Sequence, residues 1–100
     1  MGSDAVVVFE WDWANIEHVL AHGISPEEAE EAYSDPARKP AAAYTSASGE
    51  PRRAYYGATL TDRLLYVVFT VRGGAVRIFA AREAQAEERR RYRAKKERKK

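Results

Sequence analysis

The stretch Leu64–Arg82, LLYVVFTVRGGAVRIFAAR, limits the fold more tightly than any other part of the chain. Two runs of β-branched and aromatic residues flank Gly73-Gly74. Such side chains favour strands, and a Gly-Gly pair admits the positive φ angles of a tight hairpin turn. The hairpin also carries cations. Arg72 precedes the glycines, Arg77 lies inside the second run and Arg82 ends it. A guanidinium keeps its charge at any physiological pH, so Arg77 must meet solvent, a carboxylate or an anionic ligand. Strict strand alternation places Arg77, Phe79 and Ala81 on one face and Val76, Ile78 and Ala80 on the other.

The rest of the chain supplies partners for this hairpin. Val6–Phe9 reads as a first short strand. Asp12 is placed to cap a helix over Trp13–Ala21, in which Ile16, Val19 and Leu20 recur at helical spacing, and His22-Gly23 ends it. Ser25-Pro26-Glu27-Glu28 combines a capping serine, a proline at the first helical position and the glutamate of a capping box. That second helix runs to about Tyr33 before Asp35-Pro36 stops it. Ala37–Glu50 reads as a loop with a short strand near Ala42–Thr45, and Arg52–Thr59 as a strand that turns through Leu60–Arg63 into the hairpin. From Glu83 onward helix formers dominate without Gly or Pro, with Ala84, Ala86 and Tyr92 available to pack on the body. The expectation is an α+β fold: N-terminal helices on a twisted, mainly antiparallel sheet of about four strands, followed by a basic C-terminal helix. One domain spans 1–93, and 94–100 form a basic tail that frays.

Charge divides the chain sharply. From Arg89 to Lys100 there are nine Lys/Arg and one acid, a net +8, whereas the preceding residues carry a net −6. No Lys or Arg occurs before Arg38, while nine acids do. This split points to a basic surface for an anionic partner, with an acidic surface elsewhere. No apolar run is long enough to span a bilayer, and the chain has no cysteine, which removes disulfides and thiolate metal sites. A cytoplasmic location is expected, with no membrane partner and no cofactor.

Five of the eight basic residues before the tail, Arg52, Arg53, Arg72, Arg77 and Arg82, fall in the sheet or at its ends. They either pair with the acids of the N-terminal helices or line a face on which tyrosines such as Tyr55, Tyr56 and Tyr66 accompany them. The second arrangement suits RNA, since arginine grips phosphate through paired hydrogen bonds and aromatic rings stack on unpaired bases. Arg52 and Arg53 point to opposite faces, so at most one joins Arg77. His18 and His22 lie four apart on a helix, a spacing found in zinc sites, but zinc needs at least a third ligand and no metal is expected. Arg89 and Arg90, in the basic tail, would add salt-sensitive, sequence-independent affinity.

The order of motifs resembles the BrnT-type toxins of bacterial type II toxin–antitoxin pairs. The similarity runs through Phe9-Glu10-Trp11-Asp12, Asn15-Ile16-Glu17-His18, His22-Gly23-Ile24, Pro26-Glu27-Glu28-Ala29 and Asp35-Pro36. It continues with Glu50, Arg52, Gly57, Arg63–Thr70, Arg77–Arg82 and Glu88–Tyr92. The resemblance implies a RelE-like fold and an RNA-cleaving enzyme that inhibits translation. It also implies a BrnA-type ribbon-helix-helix antitoxin, in a hetero-oligomer for which a heterotetramer is one arrangement, and operator DNA bound only through that antitoxin. The chain departs from the family pattern at Ala80, where serine is usual, and at Ala41–Ala43, which leaves an inactive descendant as an alternative.

Cleavage of RNA without a metal needs a base for the ribose 2′-hydroxyl, positive charge on the phosphorane oxygens and an acid for the departing 5′-oxygen. Arg77 and Arg52 are the leading candidates for the charge. Glu50 and His22 are the candidates for base and acid. Arg53, Arg72, Arg82, Tyr55, Tyr66, Arg89 and Arg90 are the candidate RNA contacts. Two other classes fit the same residues: a non-catalytic module that binds nucleic acid or an antitoxin, and a ParE-like toxin that inhibits DNA gyrase.

Overall fold

The computed structural model describes residues 7–42 and 51–98, with side chains to residue 94. Three helices and five strands follow one another as β1 (Val8–Phe9), α1 (Trp13–Ala21), α2 (Pro26–Tyr33), β2 (Lys39–Ala41), β3 (Arg53–Ala58), β4 (Leu64–Arg72), β5 (Ala75–Glu83) and α3 (Ala86–Arg98). The sheet order is β1-β5-β4-β3-β2. Four strands form a continuous antiparallel array, and β1 joins parallel to the start of β5. The sheet is therefore mixed and five-stranded, not four-stranded. Its two outermost members, β1 and β2, have two and three residues, too few for alternation to mark them in a sequence. A short strand lies at Lys39–Ala41, and the one expected near Ala42–Thr45 falls, Ala42 apart, outside the described residues.

Local chemistry sets the helix boundaries. Asp12 accepts a hydrogen bond from the Asn15 backbone N–H at 3.0 Å, while the Asn15 side chain accepts one from the Asp12 N–H at 2.6 Å. Ser25 and Glu28 form the same reciprocal box at the start of α2, with Pro26 at its first position. Gly23, at φ 75°, lets the chain turn out of α1. At the hairpin tip Gly73 and Gly74 both take positive φ, 59° and 81°, as a two-residue turn between Arg72 and Ala75 requires.

Both N-terminal helices cover one face of the sheet. Val19 of α1 and Ala29 and Ala32 of α2, with Ile24 between the helices, close over Leu65, Val67, Phe69, Val76, Ile78 and Ala81. Phe69, Leu65, Ile78 and Val67 are fully buried, each burial contributing about 1.5–3 kcal/mol. On the opposite face, among the described residues, Ala84 and Tyr92 pack at one end on Leu64 and Tyr56, and Val68 and Thr70 are buried further along. Ala84 and Tyr92 are buried as expected, whereas Ala86 is exposed at the first turn of α3.

Gly57 fixes how closely α2 approaches the sheet. A Cβ at this position would lie 1.9 Å from the Ala32 carbonyl oxygen, a backbone atom that moves only if the whole helix moves. Gly57→Ala is therefore expected to destabilise the protein by about 1–3 kcal/mol, as overpacking does in a close-packed interior. Chemical denaturation followed by circular dichroism measures it; unchanged stability would mean that α2 shifts freely.

Candidate functional site

The sheet face opposite the core of α2 is shaped by a β-bulge. On β5, Ala80 pairs with Val68 but Ile78 pairs with Phe69, which leaves Phe79 as the extra residue. Before the bulge Arg77 lies opposite Thr70, and beyond it Ala80 and Arg82 lie opposite Val68 and Tyr66. Along β4, Tyr66, Val68, Thr70 and Arg72 share one face by alternation. Arg77, Ala80 and Arg82 consequently share a single face, while Ala81 turns into the core with Ile78. This corrects the strict alternation read from the sequence, which grouped Ala81 with Arg77 and Ala80 with Val76 and Ile78.

Two adjoining cavities occupy this face. One, of about 180 Å³, is lined by Ala14, Asn15, His18, Arg52, Arg77, Phe79 and Ala80. The other, of about 250 Å³, is lined by His18, His22, Tyr66, Val68, Ala80, Ala81 and Arg82. His18 and Ala80 belong to both, so the two form one continuous depression. α1 supplies the histidines because it lies along the outer edge of β5, where the Asn15 amide donates to the Ile78 carbonyl at 2.9 Å. The His18 and His22 rings are exposed and nearly parallel, with centroids 6.3 Å apart. The Arg52 guanidinium lies 3.8 Å over the Phe79 ring, so the bulged residue carries one of the cations.

Carboxylates hold two of the arginines in place. Arg77 donates to Asp12 through Nη2, and Glu10 stands 4.0 Å from Nη1. That hydrogen bond lowers the Asp12 pKa, with help from the Asn15 backbone N–H. Since Asp12 also caps α1, one carboxylate orients both the helix and the arginine. Arg82 pairs with both oxygens of Glu88 from α3, at 3.0 and 3.1 Å. Tyr56 donates to the same carboxylate at 2.5 Å. Arg82, above all, holds the Glu88 carboxyl at about 2, with Tyr56 adding to the effect against the opposing influence of burial. Burial first, and then Glu88, push the Tyr56 hydroxyl up to about 12. Tyr92 of α3 donates to Asp35 at 2.6 Å and completes the docking of this helix.

Of the residues singled out in the sequence, Arg52, Arg77, His22, Tyr66 and Arg82 meet around this depression. Arg72 is exposed at the hairpin tip on the same face. Tyr55 and Arg53 do not join them. Their register opposite Val67 and Phe69 turns them to the helix-covered face. There Tyr55 packs at a tilt against Tyr33 and Phe69 beneath the Arg38 guanidinium, and Arg53 lies 5.5 Å from the Phe69 ring. Arg89 and Arg90 lie on α3, where Arg89 reaches the Ala84 carbonyl at 3.5 Å. Glu50 falls outside the described residues. Sequence reasoning weighed His18 only as a metal ligand and did not single out Phe79. The four-residue spacing of His18 and His22 already put them on one helix face, and alternation already put Phe79 on the face of Arg77. Among the described residues no three His, Cys, Asp or Glu side chains cluster as a metal site would require, and no helix is long and apolar enough to cross a membrane.

A small α+β protein with cations, histidines and aromatic rings around one open sheet face has the outline of an RNA-directed protein. The chain belongs to the BrnT family, the ribonuclease toxins of type II toxin–antitoxin systems, whose pattern it matches over residues 11–88. None of the curated proteins matches the sequence.

The Glu88 contacts give the fold a defined acid response. The folded Glu88 titrates near 2 instead of the usual 4.5, so its contribution is complete above pH 4.5 and is lost as the pH falls towards 2. Glu88→Gln should lower stability at neutral pH by about 1–2 kcal/mol, a value reduced by solvent screening at the partly exposed Arg82. The stability curves of wild type and variant should converge by pH 2 in denaturation experiments. Parallel curves would exclude Glu88 as the titrating group.

Proposed function

We propose that this protein is the toxin of a type II toxin–antitoxin pair, an endoribonuclease that cleaves RNA without a metal and thereby inhibits translation. The observation that carries this reading is that Arg52 and Arg77 line one cavity and His22 the adjoining one, with His18 lining both. Arg77 and Arg52 bind the scissile phosphate. A guanidinium has five N–H donors, and Asp12 engages Arg77 through one nitrogen, so the remaining donors can stabilise charge on the phosphorane oxygens. His22 or His18 removes the proton from the 2′-hydroxyl. The 2′-oxygen then attacks phosphorus, the bond to the 5′-oxygen breaks, and a second acid protonates that oxygen. The products are a 2′,3′-cyclic phosphate and a 5′-hydroxyl. Histidine suits both proton transfers near neutral pH, and Glu50 is the alternative base.

The family's organisation supports a partner that neutralises the toxin, which we take to be a BrnA-type ribbon-helix-helix antitoxin in a hetero-oligomer that contacts operator DNA through the antitoxin alone. Purified protein is expected to cleave RNA in the presence of a chelator and to stop when the antitoxin is added. Arg77→Ala should lower the cleavage rate by about 10²–10³-fold, the usual effect of removing one donor to a developing anion. A thermal melt of the variant reports separately on the loss of the Asp12 contact. Full cleavage by a folded Arg77→Ala protein would remove Arg77 from the mechanism.

The basic tail adds a second expectation. Truncation after Arg93 should weaken RNA binding most at low salt and flatten the dependence of affinity on salt, because fewer counterions are released. Cleavage should persist. Equal salt slopes for the two proteins would show that the tail does not contact RNA.

A further inference from the structure

The guanidinium that lines the larger of the two cavities is that of Arg82, and three of its five N–H donors are already engaged, two by Glu88 and one by the Glu83 carbonyl. Both guanidinium nitrogens that pair with a carboxylate are engaged with the Glu88 oxygens at 3.0 and 3.1 Å. Beside its other two donors, Arg82 offers its planar face. Its side chain is 37% exposed, and its central carbon lies 4.4 Å over the Tyr66 ring. Tyr66 is braced from below by the Tyr56 ring at 5.3 Å and by the hydrogen bond from its hydroxyl to the Ala42 carbonyl at 2.7 Å. The same Glu88 fixes Tyr56, so one carboxylate immobilises the whole stack. Opposite this stack stand the two imidazoles of α1, and the floor between is apolar, formed by Val68 and Ala80. A flat cationic surface, an apolar floor and a rim of hydrogen-bonding rings match the requirements of an unpaired nucleobase, which RNA-binding proteins hold against arginine planes and aromatic rings.

We infer that the cavity between Arg82 and the His18–His22 pair is a base subsite for the nucleotide next to the scissile phosphate, and that Ala80 is a specificity-determining position of this subsite. The inference rests on the cleavage site proposed above, because the adjoining cavity, with Arg52 and Arg77, holds the phosphate. Ala80 lines both cavities, at the boundary between them. The bulge at Phe79 is what brings Ala80 to this boundary. A larger side chain at this position would fill the space for a base while leaving Arg52, Arg77 and the histidines in place. Arg82 therefore acts here as a stacking surface and not as a phosphate clamp.

The test separates base recognition from catalysis. Short RNA oligonucleotides carry a 2′-deoxyribose at the cleavage site, which blocks the reaction, and either a base or an abasic ribose at the neighbouring nucleotide on each side in turn. Loss of one base should weaken binding to the wild type by about 5–100-fold, the range for a stacked base, on one side of the scissile phosphate only. Ala80→Leu should bind the base-bearing and abasic oligonucleotides equally. Ala80→Ser, which keeps the volume small, should retain the discrimination. A circular dichroism melt checks that each variant folds. If the wild type binds both oligonucleotides alike, or binds neither, the base subsite is overturned. If Ala80→Leu still discriminates, Ala80 has no part in it. Cleavage of the all-ribose substrate is read in parallel. Its absence in the wild type would overturn the proposed ribonuclease activity, whereas base-dependent binding would still stand on the oligonucleotide data alone.

Discussion

The contact between Asn15 and β5 is the point on which the arrangement depends. β1 covers only the first two residues of β5, so the outer edge of that strand would otherwise present bare backbone groups. The Asn15 amide takes the Ile78 carbonyl and also reaches the Glu10 carbonyl at 3.3 Å. Its carbonyl oxygen caps the backbone at Asp12. A buried asparagine so engaged is costly to replace, because each group left without a partner loses about 1–3 kcal/mol. The same few residues fix the position of α1, cap it and aim Arg77 through Asp12. Helix, sheet edge and cation are thus set by one hydrogen-bonded node.

The two faces of the sheet divide the work of stability and recognition. On the helix-covered face Tyr33, Tyr55 and Phe69 meet in tilted and edge-on pairs with centroids 4.9–5.5 Å apart, geometry that adds favourable electrostatics to apolar burial. On the opposite face, rings and cations stand beside the buried Val68 and Thr70, and α3 docks at one end. α3 itself is composed mostly of charged residues, and its attachment depends on a few buried or half-buried groups: Ala84, Tyr92 and Glu88. Polar tethers of this kind hold a basic helix in place without a broad apolar stripe, and they leave Arg90, Arg91 and Arg93 exposed.

Several parts of this design were legible along the chain. Asp12, Ser25, Pro26 and Glu28 marked both helix starts because capping is a matter of neighbours three residues apart. Gly73-Gly74 marked the hairpin because few other residues take positive φ twice in succession. The grouping of Arg52 with Arg77 was one of two options that alternation left open, and the pairing register chose it. The bulge at Phe79 was not legible. An extra residue in one strand changes nothing in composition or hydrophobicity, yet it reverses the facing of every residue after it. Tyr55 illustrates the same limit: adjacent tyrosines at 55 and 56 are indistinguishable by type, and only the register sends one into the core and the other towards Glu88.

The sequence by itself determined the helices, the hairpin, the charge division and the set of arginines available for an anionic ligand, since each rests on interactions between residues close in the chain. Tertiary structure decided which of those groups act together. Arg82, expected as a supporting charge, is committed to Glu88 from a helix six residues further on. Ala80, expected to face with the core residues Val76 and Ile78, stands on the open face between the two cavities. Both outcomes depend on strand register and on packing between distant segments, and these are settled only when the whole sheet forms.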